Sequence, residues 1–371
     1  MSAPLITPRP GILNIKPYVG GDSKIQGKNQ DGDKTSVIKL ASNEGAFGPS
    51  PKALEAIAKT AQSVNRYPDG NASALHAAIG KRFGLDPARI ICGAGSDEIL
   101  SLLAYSYSGP GDEVLYTEHG FLMYPIAAKA AGATPVAAPE TNLTTDVDNL
   151  LGAVTDKTKI VFLANPNNPT GTYISSSELQ RLRAGLPADV LLVIDAAYAE
   201  FVSRDDYTPG FELVDQGQNT VMTRTFSKIF ALGGLRLGWA YMPSEIADVI
   251  NRVRGPFNVS SIAQAAGIAA LEDIEFFNRS REHAILWVEK TQTALRQMGL
   301  QTTNSVGNFV LVRFDGNNGK TAEAADAYLR DNSIIVRKMD AYGLPEYLRV
   351  SIGNEEEMNA CIKAIEKFLK S

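Results

Sequence analysis

The stretch VLLVIDAAYAEF, residues 190–201, places five apolar residues in a row directly before an aspartate. An apolar run without polar alternation is typical of a parallel strand whose two faces are both covered by helices. Four further strand candidates occur elsewhere in the chain, several of them also continuously apolar, and helical patterns separate most of them. They cover residues 112–118, 134–139, 159–166 and 219–226. This alternation predicts an α/β protein with a mostly parallel central sheet and helices on both of its faces.

The sequence pattern changes near residue 270, and the chain beyond that point has the pattern of a compact α+β unit. Residues 1–35 are rich in Pro, Gly, Asn and Asp, which predicts an extended arm rather than a packed element. A chain of 371 residues suits one large domain with a smaller one beside it. We therefore predict an N-terminal arm (1–45) that packs on the small domain and the active site, a large domain (46–270) and a small C-terminal domain (271–371).

The composition favours small-molecule chemistry. With 44% apolar and 21% charged residues, the chain has the composition of a soluble globular protein. The net charge of −5 and the absence of a basic block argue against nucleic acids and anionic membranes as partners. Cys92 and Cys361 lie far apart, without metal-ligand spacing, and no apolar stretch approaches the length of a membrane span. The start of the chain lacks the pattern of a secretory signal, so we expect a cytoplasmic protein that binds no metal.

The residues that follow the strands are the first candidates for a site, because open α/β sheets bind ligands beyond the carboxyl ends of their strands. Asp195 directly follows an apolar strand, where an isolated carboxylate is costly to bury unless a cation pairs with it. Tyr198 would lie beside Asp195 if a helical turn begins there. The alternative is a carboxylate that caps a helix or meets a structural arginine.

Two further loops follow strands. CGAGSDE, residues 92–98, leads from a strand into a helix whose first amides would point at an anion. The alternative is a tight turn with Ser96 as the helix N-cap. LANPNNPTGT, residues 163–172, could offer the side-chain amide of Asn168 to a ligand oxygen, although its Asn and Pro residues are also ordinary turn residues.

TRTFSKIFALGGLRLG, residues 223–238, contains no acidic residue. Thr225, Ser227 and Arg236 carry donors that match phosphate oxygens, which predicts an anion site. In an extended segment Thr225 and Ser227 point to one side and Lys228 to the other. Lys228 is a candidate nucleophile, and the alternative is an ordinary surface lysine.

Two arginines of the C-terminal unit, Arg337 and Arg349, lie within apolar, strand-like surroundings. Each requires an anion, either from a substrate or from a structural ion pair. Together, the candidate residues suit a ligand that has a phosphate, a ring nitrogen able to carry positive charge, a phenolic oxygen and a carbonyl open to attack by lysine. Pyridoxal phosphate has all four of these groups.

Three motifs occur in this order, roughly thirty residues apart: NPNNPTG (165–171), DAAYAEF (195–201) and TFSKIFALGGLRLG (225–238). Together they resemble the fold-type I pyridoxal-phosphate aminotransferases. The histidinol-phosphate aminotransferase subgroup is the closer likeness, because its pattern is similar to IKPYVGG, LASNEGAFGPSP, NRYPDG, GAGSDEI and LRVSIG in this chain. The resemblance covers nearly the whole chain and implies pyridoxal 5'-phosphate as cofactor and a homodimer with shared active sites.

The resemblance also implies a role for each residue that matches a motif. Lys228 would bond to the cofactor and shuttle the proton, Asp195 would pair with the ring nitrogen, and an aromatic residue would stack on the ring. That residue is Phe121 here, where the family often has tyrosine, so a hydroxyl contact is lost. The other cofactor-binding residues would be Asn168 and Tyr198 at the phenolic oxygen and, at the phosphate, Thr225, Ser227, Arg236, the amides of Ser96, Asp97 and Glu98, and Tyr67 from the partner subunit.

For the substrate, the resemblance implies that Arg349 binds the carboxylate of glutamate and that Arg337 helps to bind a substrate phosphate. Tyr18 of the arm would close over the site, and Asn43 would line the same pocket. The implied reaction is transamination between L-histidinol phosphate and 2-oxoglutarate. The alternatives are an aromatic amino acid as substrate, a pyridoxal-phosphate lyase such as a threonine-phosphate decarboxylase, and a non-enzymatic regulator.

Overall fold

The computed structural model of the protein describes residues 8–22, 37–217 and 219–371. Residues 1–7 and 23–36 of the predicted arm lie outside the described residues. The helices are α1 (Pro51–Thr60), α2 (Ser73–Phe83), α3 (Ser96–Tyr107), α4 (Met123–Ala131), α5 (Val147–Gly152), α6 (Ser176–Gly185), α7 (Phe211–Gln216), α8 (Ser244–Val253), α9 (Ser261–Glu272), α10 (Ile274–Gln297), α11 (Ala322–Asp331) and α12 (Glu355–Lys370). The strands are β1 (Ile38–Lys39), β2 (Ile90–Gly93), β3 (Glu113–Thr117), β4 (Thr134–Ala138), β5 (Glu140–Thr141), β6 (Thr144–Thr145), β7 (Thr158–Ala164), β8 (Leu191–Asp195), β9 (Thr220–Thr225), β10 (Gly238–Tyr241), β11 (Gln301–Thr302), β12 (Phe309–Arg313), β13 (Ile334–Ile335), β14 (Arg337–Lys338) and β15 (Tyr347–Ser351).

The central sheet has seven strands in the order β2-β10-β9-β8-β7-β3-β4. All neighbouring pairs are parallel except those made by β10, so the predicted mostly parallel sheet is confirmed. Strand β8 is buried along its whole length. Its alternate residues Leu191 and Val193 pack in one apolar cluster with α3, α4 and α8, whereas Leu192 and Ile194 pack in another with α5 and α6. Helices therefore cover both faces of the sheet, which explains the continuous apolar run.

Strand β10 was not predicted, because it is only four residues long and begins at a glycine of the TRTFSKIFALGGLRLG stretch. It runs antiparallel between β2 and β9. A Cβ atom on Gly238 would lie 2.2 Å from the backbone nitrogen of Ser96. Glycine at this position therefore allows the end of β9, the start of β10 and the first residue of α3 to meet at one edge of the sheet.

The C-terminal unit contains the four-stranded antiparallel sheet β11-β12-β15-β14. Its apolar core includes residues of α10, α11 and α12. The strand-like segment around Arg337 forms two short strands, because β13 pairs with β1 and β14 pairs with β15. In the second pair Arg337 lies directly opposite Arg349, so the two side chains share one face of the sheet. The domain boundary near residue 270 stays a prediction.

The described part of the arm contacts the C-terminal unit. Arg337 Nη2 donates to the carbonyl oxygen of Val19 (2.6 Å), and Arg330 pairs with Asp22 (2.8 Å). The amide of Ser351 donates to the carbonyl oxygen of Leu40 (2.9 Å). The last of these contacts holds Leu40 against β15, the last strand of the chain.

Candidate active site

Most of the predicted site residues line one cleft of about 340 Å³. It lies at the carboxyl ends of β7, β8 and β9, as open α/β sheets lead one to expect. The arm, the start of α3, β14 and β15 supply the other walls. The predicted residues that line the cleft are Tyr18, Asn43, Ser96, Asp97, Phe121, Asn168, Asp195, Tyr198, Thr225, Ser227, Lys228, Arg236, Arg337 and Arg349.

Asp195 is the last residue of β8 and is buried. Its carboxylate accepts hydrogen bonds from the hydroxyls of Tyr124 (2.9 Å) and Thr223 (3.3 Å). Burial raises the pKa of Asp195 to about 6, although these hydrogen bonds act in the opposite direction. In the part of the chain that the structure describes, no cation pairs with Asp195. The carboxylate is thus arranged to receive a positively charged group from a ligand.

Sequence reasoning missed both hydroxyl partners of Asp195. Thr223 was within reach of prediction, because it lies directly opposite Asp195 in the parallel register of β8 and β9. Tyr124 arrives from α4, and nothing in its surroundings in the sequence signals that its hydroxyl reaches β8. Buried tyrosines ordinarily require a hydrogen-bond partner, but the sequence does not identify which one.

Tyr198 is buried and accepts a hydrogen bond at its hydroxyl from Asn43 Nδ2 (2.9 Å). Asn43 adopts a positive φ of 54° and is held by the C-terminal unit. The Ser351 hydroxyl donates to Asn43 Oδ1 (2.8 Å), and Asn308 Nδ2 donates to the Asn43 carbonyl oxygen (3.1 Å). Asn43 therefore fixes the orientation of the Tyr198 phenol as well as lining the cleft.

Lys228 faces the same cleft as Thr225 and Ser227, contrary to the expectation of opposite sides. The reason is local, because β9 ends at Thr225 and the Ser227 amide then donates to Thr225 Oγ1 (3.0 Å). Lys228 Nζ donates to the carbonyl oxygen of Ser42 (3.2 Å) and lies 5.7 Å from the centre of the Tyr198 ring. The side-chain amine is thus held inside the site, and Lys228 is not an ordinary surface lysine.

The start of α3 and Arg236 form an anion cradle. The N-cap of α3 is Gly95. The alternative prediction, a tight turn with Ser96 as the N-cap, is therefore wrong. Gly95 has a positive φ of 87°, and a Cβ atom there would lie 2.5 Å from Arg236 Nη2. Glycine is therefore needed for the guanidinium to approach the free amides of the helix. Arg236 also pairs with the Asp97 carboxylate (3.2 Å), an acidic partner that comes from a distant part of the chain.

Two predicted residues, Glu98 and Tyr67, lie outside the cleft of their own chain. The Glu98 carboxylate accepts hydrogen bonds from the Ala94 amide and from Asn258 Nδ2, both at 2.7 Å. Glu98 can therefore contact a phosphate only through its backbone amide. Tyr67 is 83% exposed and stacks on Phe257, with ring centres 4.6 Å apart.

Arg349 and Arg337 place two guanidinium groups side by side at the cleft. Arg349 is buried, and it donates to Asn168 Oδ1 and to the carbonyl oxygen of Ala41 (2.8 Å). Burial lowers the pKa of Arg349. Arg337 donates to the carbonyl oxygen of Val19. Among the described residues, every hydrogen-bond acceptor of the two guanidiniums is a neutral oxygen, so the positive charge remains available to an anionic ligand.

Aromatic residues complete the wall. Phe121 contacts Tyr124 edge to face, with ring centres 5.9 Å apart, and it meets Tyr18 of the arm at 6.2 Å. Tyr18 is 45% exposed and lines the cleft. The Phe121 side chain thus presents an apolar surface to the cleft, as a planar ligand would require.

The donor set fits pyridoxal phosphate. Amides of α3, the hydroxyls of Thr225 and Ser227 and the Arg236 guanidinium provide donors and positive charge for a phosphate. The buried Asp195 carboxylate suits a protonated ring nitrogen, and the Lys228 amine opens on the same cleft. Within the described residues no group of His, Cys, Asp and Glu is arranged to hold a metal ion. None of the described helices has both the length and the apolar character to cross a membrane.

Known proteins resemble the chain over its full length. The family model for class I and II aminotransferases matches residues 35–365. The histidinol-phosphate aminotransferase of Paramagnetospirillum magneticum is 58% identical over 369 residues, which cover 100% of this chain and 99% of the relative. That of Rhodospirillum centenum is 56% identical over 374 residues, with 100% of each chain covered. The crystal structure of histidinol-phosphate aminotransferase from Sinorhizobium meliloti, in complex with pyridoxal-5'-phosphate, is similar with a TM-score of 0.89 at 27% identity, covering 99% of both chains.

Proposed function

The chain belongs to the class I and II aminotransferases, and from this premise we propose that it transfers an amino group between L-histidinol phosphate and 2-oxoglutarate. The products would be imidazole-acetol phosphate and L-glutamate, and the reaction would be a reversible step of histidine biosynthesis. Two relatives that are 58% and 56% identical over the whole chain are named histidinol-phosphate aminotransferases. The observation that carries the proposal is the pair Arg337 and Arg349 at the cleft. Each amino donor bears an anionic group that these guanidiniums can bind, a phosphate in histidinol phosphate and a carboxylate in glutamate.

The cofactor would be pyridoxal phosphate, which when bound supplies an electron sink for negative charge at the substrate α-carbon. Thr225, Ser227, Arg236 and the amides at residues 96–98 would bind its phosphate. Asp195 would keep its ring nitrogen protonated, because a buried carboxylate stabilises positive charge beside it.

The remaining cofactor contacts would come from three polar residues and one ring. Asn168 and Tyr198 would bind the phenolic oxygen, and Phe121 would stack on the ring. Lys228 Nζ, held by the Ser42 carbonyl oxygen, would bond to the cofactor and carry the proton to and from the substrate carbon.

We further propose a cytoplasmic homodimer in which each subunit completes the other's site. Tyr67 supports this proposal, because a side chain that is 83% exposed and outside its own cleft is free to enter a partner's site. Tyr67 would donate its hydroxyl to the phosphate bound by the second copy. Phe257 beneath it is also exposed, as expected for residues that a second copy covers.

A second candidate is transamination of an aromatic amino acid such as phenylalanine or tyrosine. It is supported by the contact between Tyr18 and Phe121, because a phenyl ring could pack on these side chains as an imidazole could. The cofactor residues would be the same in both reactions. The two candidates differ in whether the substrate carries a phosphate for Arg337 to bind.

The substrate proposal is tested by comparing two amino acceptors, imidazole-acetol phosphate and phenylpyruvate, with glutamate as the donor. We expect kcat/KM to favour the phosphorylated acceptor by at least about 100-fold, because the other acceptor leaves a guanidinium without its anion. Equal or reversed preference would identify the aromatic reaction. Release of carbon dioxide from threonine phosphate without 2-oxoglutarate would instead identify a decarboxylase.

Arg349→Lys is expected to raise the KM for glutamate about 10- to 100-fold, with a smaller change in kcat. Lysine keeps the charge, but it cannot donate in a planar fork to Asn168, to the Ala41 carbonyl oxygen and to a carboxylate. Steady-state kinetics against glutamate measures the effect. Arg313→Lys is the matched control, because Arg313 lies in the same sheet but away from the cleft. Equal KM changes in both variants would contradict the role of Arg349.

A further inference from the structure

We propose that Asn258 is a positioning residue that connects the phosphate end of one active site to the tyrosine that the same subunit donates to the other. The inference rests on the proposed function, namely on a bound pyridoxal phosphate and on the exchange of Tyr67 between two copies. Asn258 lies in the segment between α8 and α9, outside the cleft, so it would act through other residues and not by contact with substrate.

The first half of the connection runs from Asn258 to the anion cradle. Asn258 Nδ2 donates to Glu98 Oε2 (2.7 Å) and to the carbonyl oxygen of Cys92 (3.2 Å). The same oxygen of Glu98 accepts the amide of Ala94 (2.7 Å). Ala94 directly precedes Gly95, whose close approach to Arg236 forms the cradle. Asn258 thus fixes the turn that aims the first amides of α3 at the phosphate.

The second half runs from Asn258 to the segment that carries Tyr67. Asn258 Oδ1 accepts from Arg254 Nη1 (3.2 Å), and the same nitrogen donates to the carbonyl oxygen of Gly70 (2.8 Å). The two segments also touch directly, because a Cβ atom on Gly70 would lie 2.5 Å from the Pro256 carbonyl oxygen. Phe257, the residue before Asn258, stacks on the Tyr67 ring. The position of Tyr67 is therefore set by residues 254–258.

Asparagine is suited to this place because its side chain is a donor at one atom and an acceptor at the other. The donor serves the carboxylate of Glu98, and the acceptor serves the guanidinium of Arg254. Both are hydrogen bonds to charged groups, which are the stronger kind. When a phosphate orders the cradle in one site, the connection also orders the tyrosine offered to the other. Cofactor binding at the two sites of a dimer is then coupled.

Mixed dimers that carry Lys228→Ala in one subunit separate the two halves of the connection. Only the site that retains Lys228 gives the visible absorbance of lysine-bound cofactor. The mixed dimer is diluted into a solution of a protein that captures released pyridoxal phosphate, and the rate at which this absorbance is lost measures the dissociation rate of the cofactor. In the first arrangement Asn258→Ala is in the subunit that retains Lys228, and its own cradle is altered. In the second arrangement Asn258→Ala is in the other subunit, so the reporting site differs only in the Tyr67 that it receives.

We expect the dissociation rate to rise about tenfold in the first arrangement and about fivefold in the second. Asn251→Ala is the matched control, because Asn251 accepts from the same Arg254 but does not reach Glu98. It should leave both rates within about twofold of the unaltered dimer. If Asn258→Ala does not fold, Glu98→Gln weakens the same hydrogen bond and is used in the same two arrangements.

An unchanged rate in the second arrangement would overturn the connection, even if the first arrangement loses cofactor faster. Equal effects of Asn258→Ala and Asn251→Ala would overturn it as well. An unaltered protein that binds no pyridoxal phosphate, or that is a monomer, contradicts the proposed function itself and is recognised before any variant is made. The two failures are therefore distinguishable.

Discussion

Lys228→Ala is expected to lower turnover by at least about 10⁴-fold while leaving pyridoxal phosphate bound without a covalent bond. The loss is large because no other amine lines the cleft among the described residues, so nothing replaces the group that carries the proton. The cofactor should stay bound because its proposed phosphate contacts, Thr225, Ser227 and Arg236, are unchanged by the substitution. Turnover with glutamate and an oxo acid measures the first effect, and the absorbance spectrum of the protein after gel filtration measures the second.

Lys52→Ala is the control for Lys228→Ala. Lys52 is exposed, its Nζ lies 3.7 Å from Asp273 Oδ1, and it does not line the cleft. Its loss should leave turnover and spectrum unchanged. A Lys228→Ala protein that retained a tenth of the activity would show that another group moves the proton, and the assignment of Lys228 would then be wrong.

Asp195→Asn is expected to lower kcat about 10²- to 10³-fold, because a neutral amide does not stabilise positive charge on the ring nitrogen. The same substitution should make the cofactor-free protein more stable at pH 7, by up to about 3 kcal/mol in the free energy of unfolding. The reason is that burial raises the pKa of Asp195 from its usual 3.8 to about 6, so the ionised carboxyl is less favourable in the folded protein than in the unfolded chain.

The pH dependence gives the sign of this effect. Below about pH 4 Asp195 is protonated in the folded and in the unfolded state, and the wild-type protein bears no penalty. As the pH rises from about 4 to about 6, the unfolded chain loses its proton first, so the wild-type protein loses stability relative to Asp195→Asn. Urea unfolding of both cofactor-free proteins at several pH values measures the difference. A difference that does not grow over this range would contradict the raised pKa.

The central sheet could be predicted because its determinants are local. Buried parallel strands leave a continuous apolar run, and β7 and β8 each have one. The carboxyl ends of such strands meet at one edge, so Asp195, Asn168 and Thr225 could be placed near each other before the structure was known. Strand β10 could not be predicted, because four residues that start at a glycine give no periodic pattern.

The contacts between distant segments were beyond prediction. The segment 223–238 contains no acidic residue, yet Arg236 pairs with Asp97, which lies 139 residues away in the chain. Tyr124 also bonds Asp195, and Asn43 bonds Tyr198, across long separations in the sequence. Composition and spacing predict which side chains need a partner. The three-dimensional packing decides which residue becomes that partner, and this information is not local.

Arg349 has a consequence for how the protein is made. Its two hydrogen-bond partners are Asn168 and Ala41, which lie 181 and 308 residues before it in the chain. Contacts over such separations form late, because the entropy of closing the intervening chain is lost before they contribute. When the ribosome has synthesised all strands of the central sheet, the cleft therefore still lacks Arg349. If Arg349 binds the substrate carboxylate as proposed, the chain can bind its substrate only after β15, near its carboxyl end, has emerged and docked.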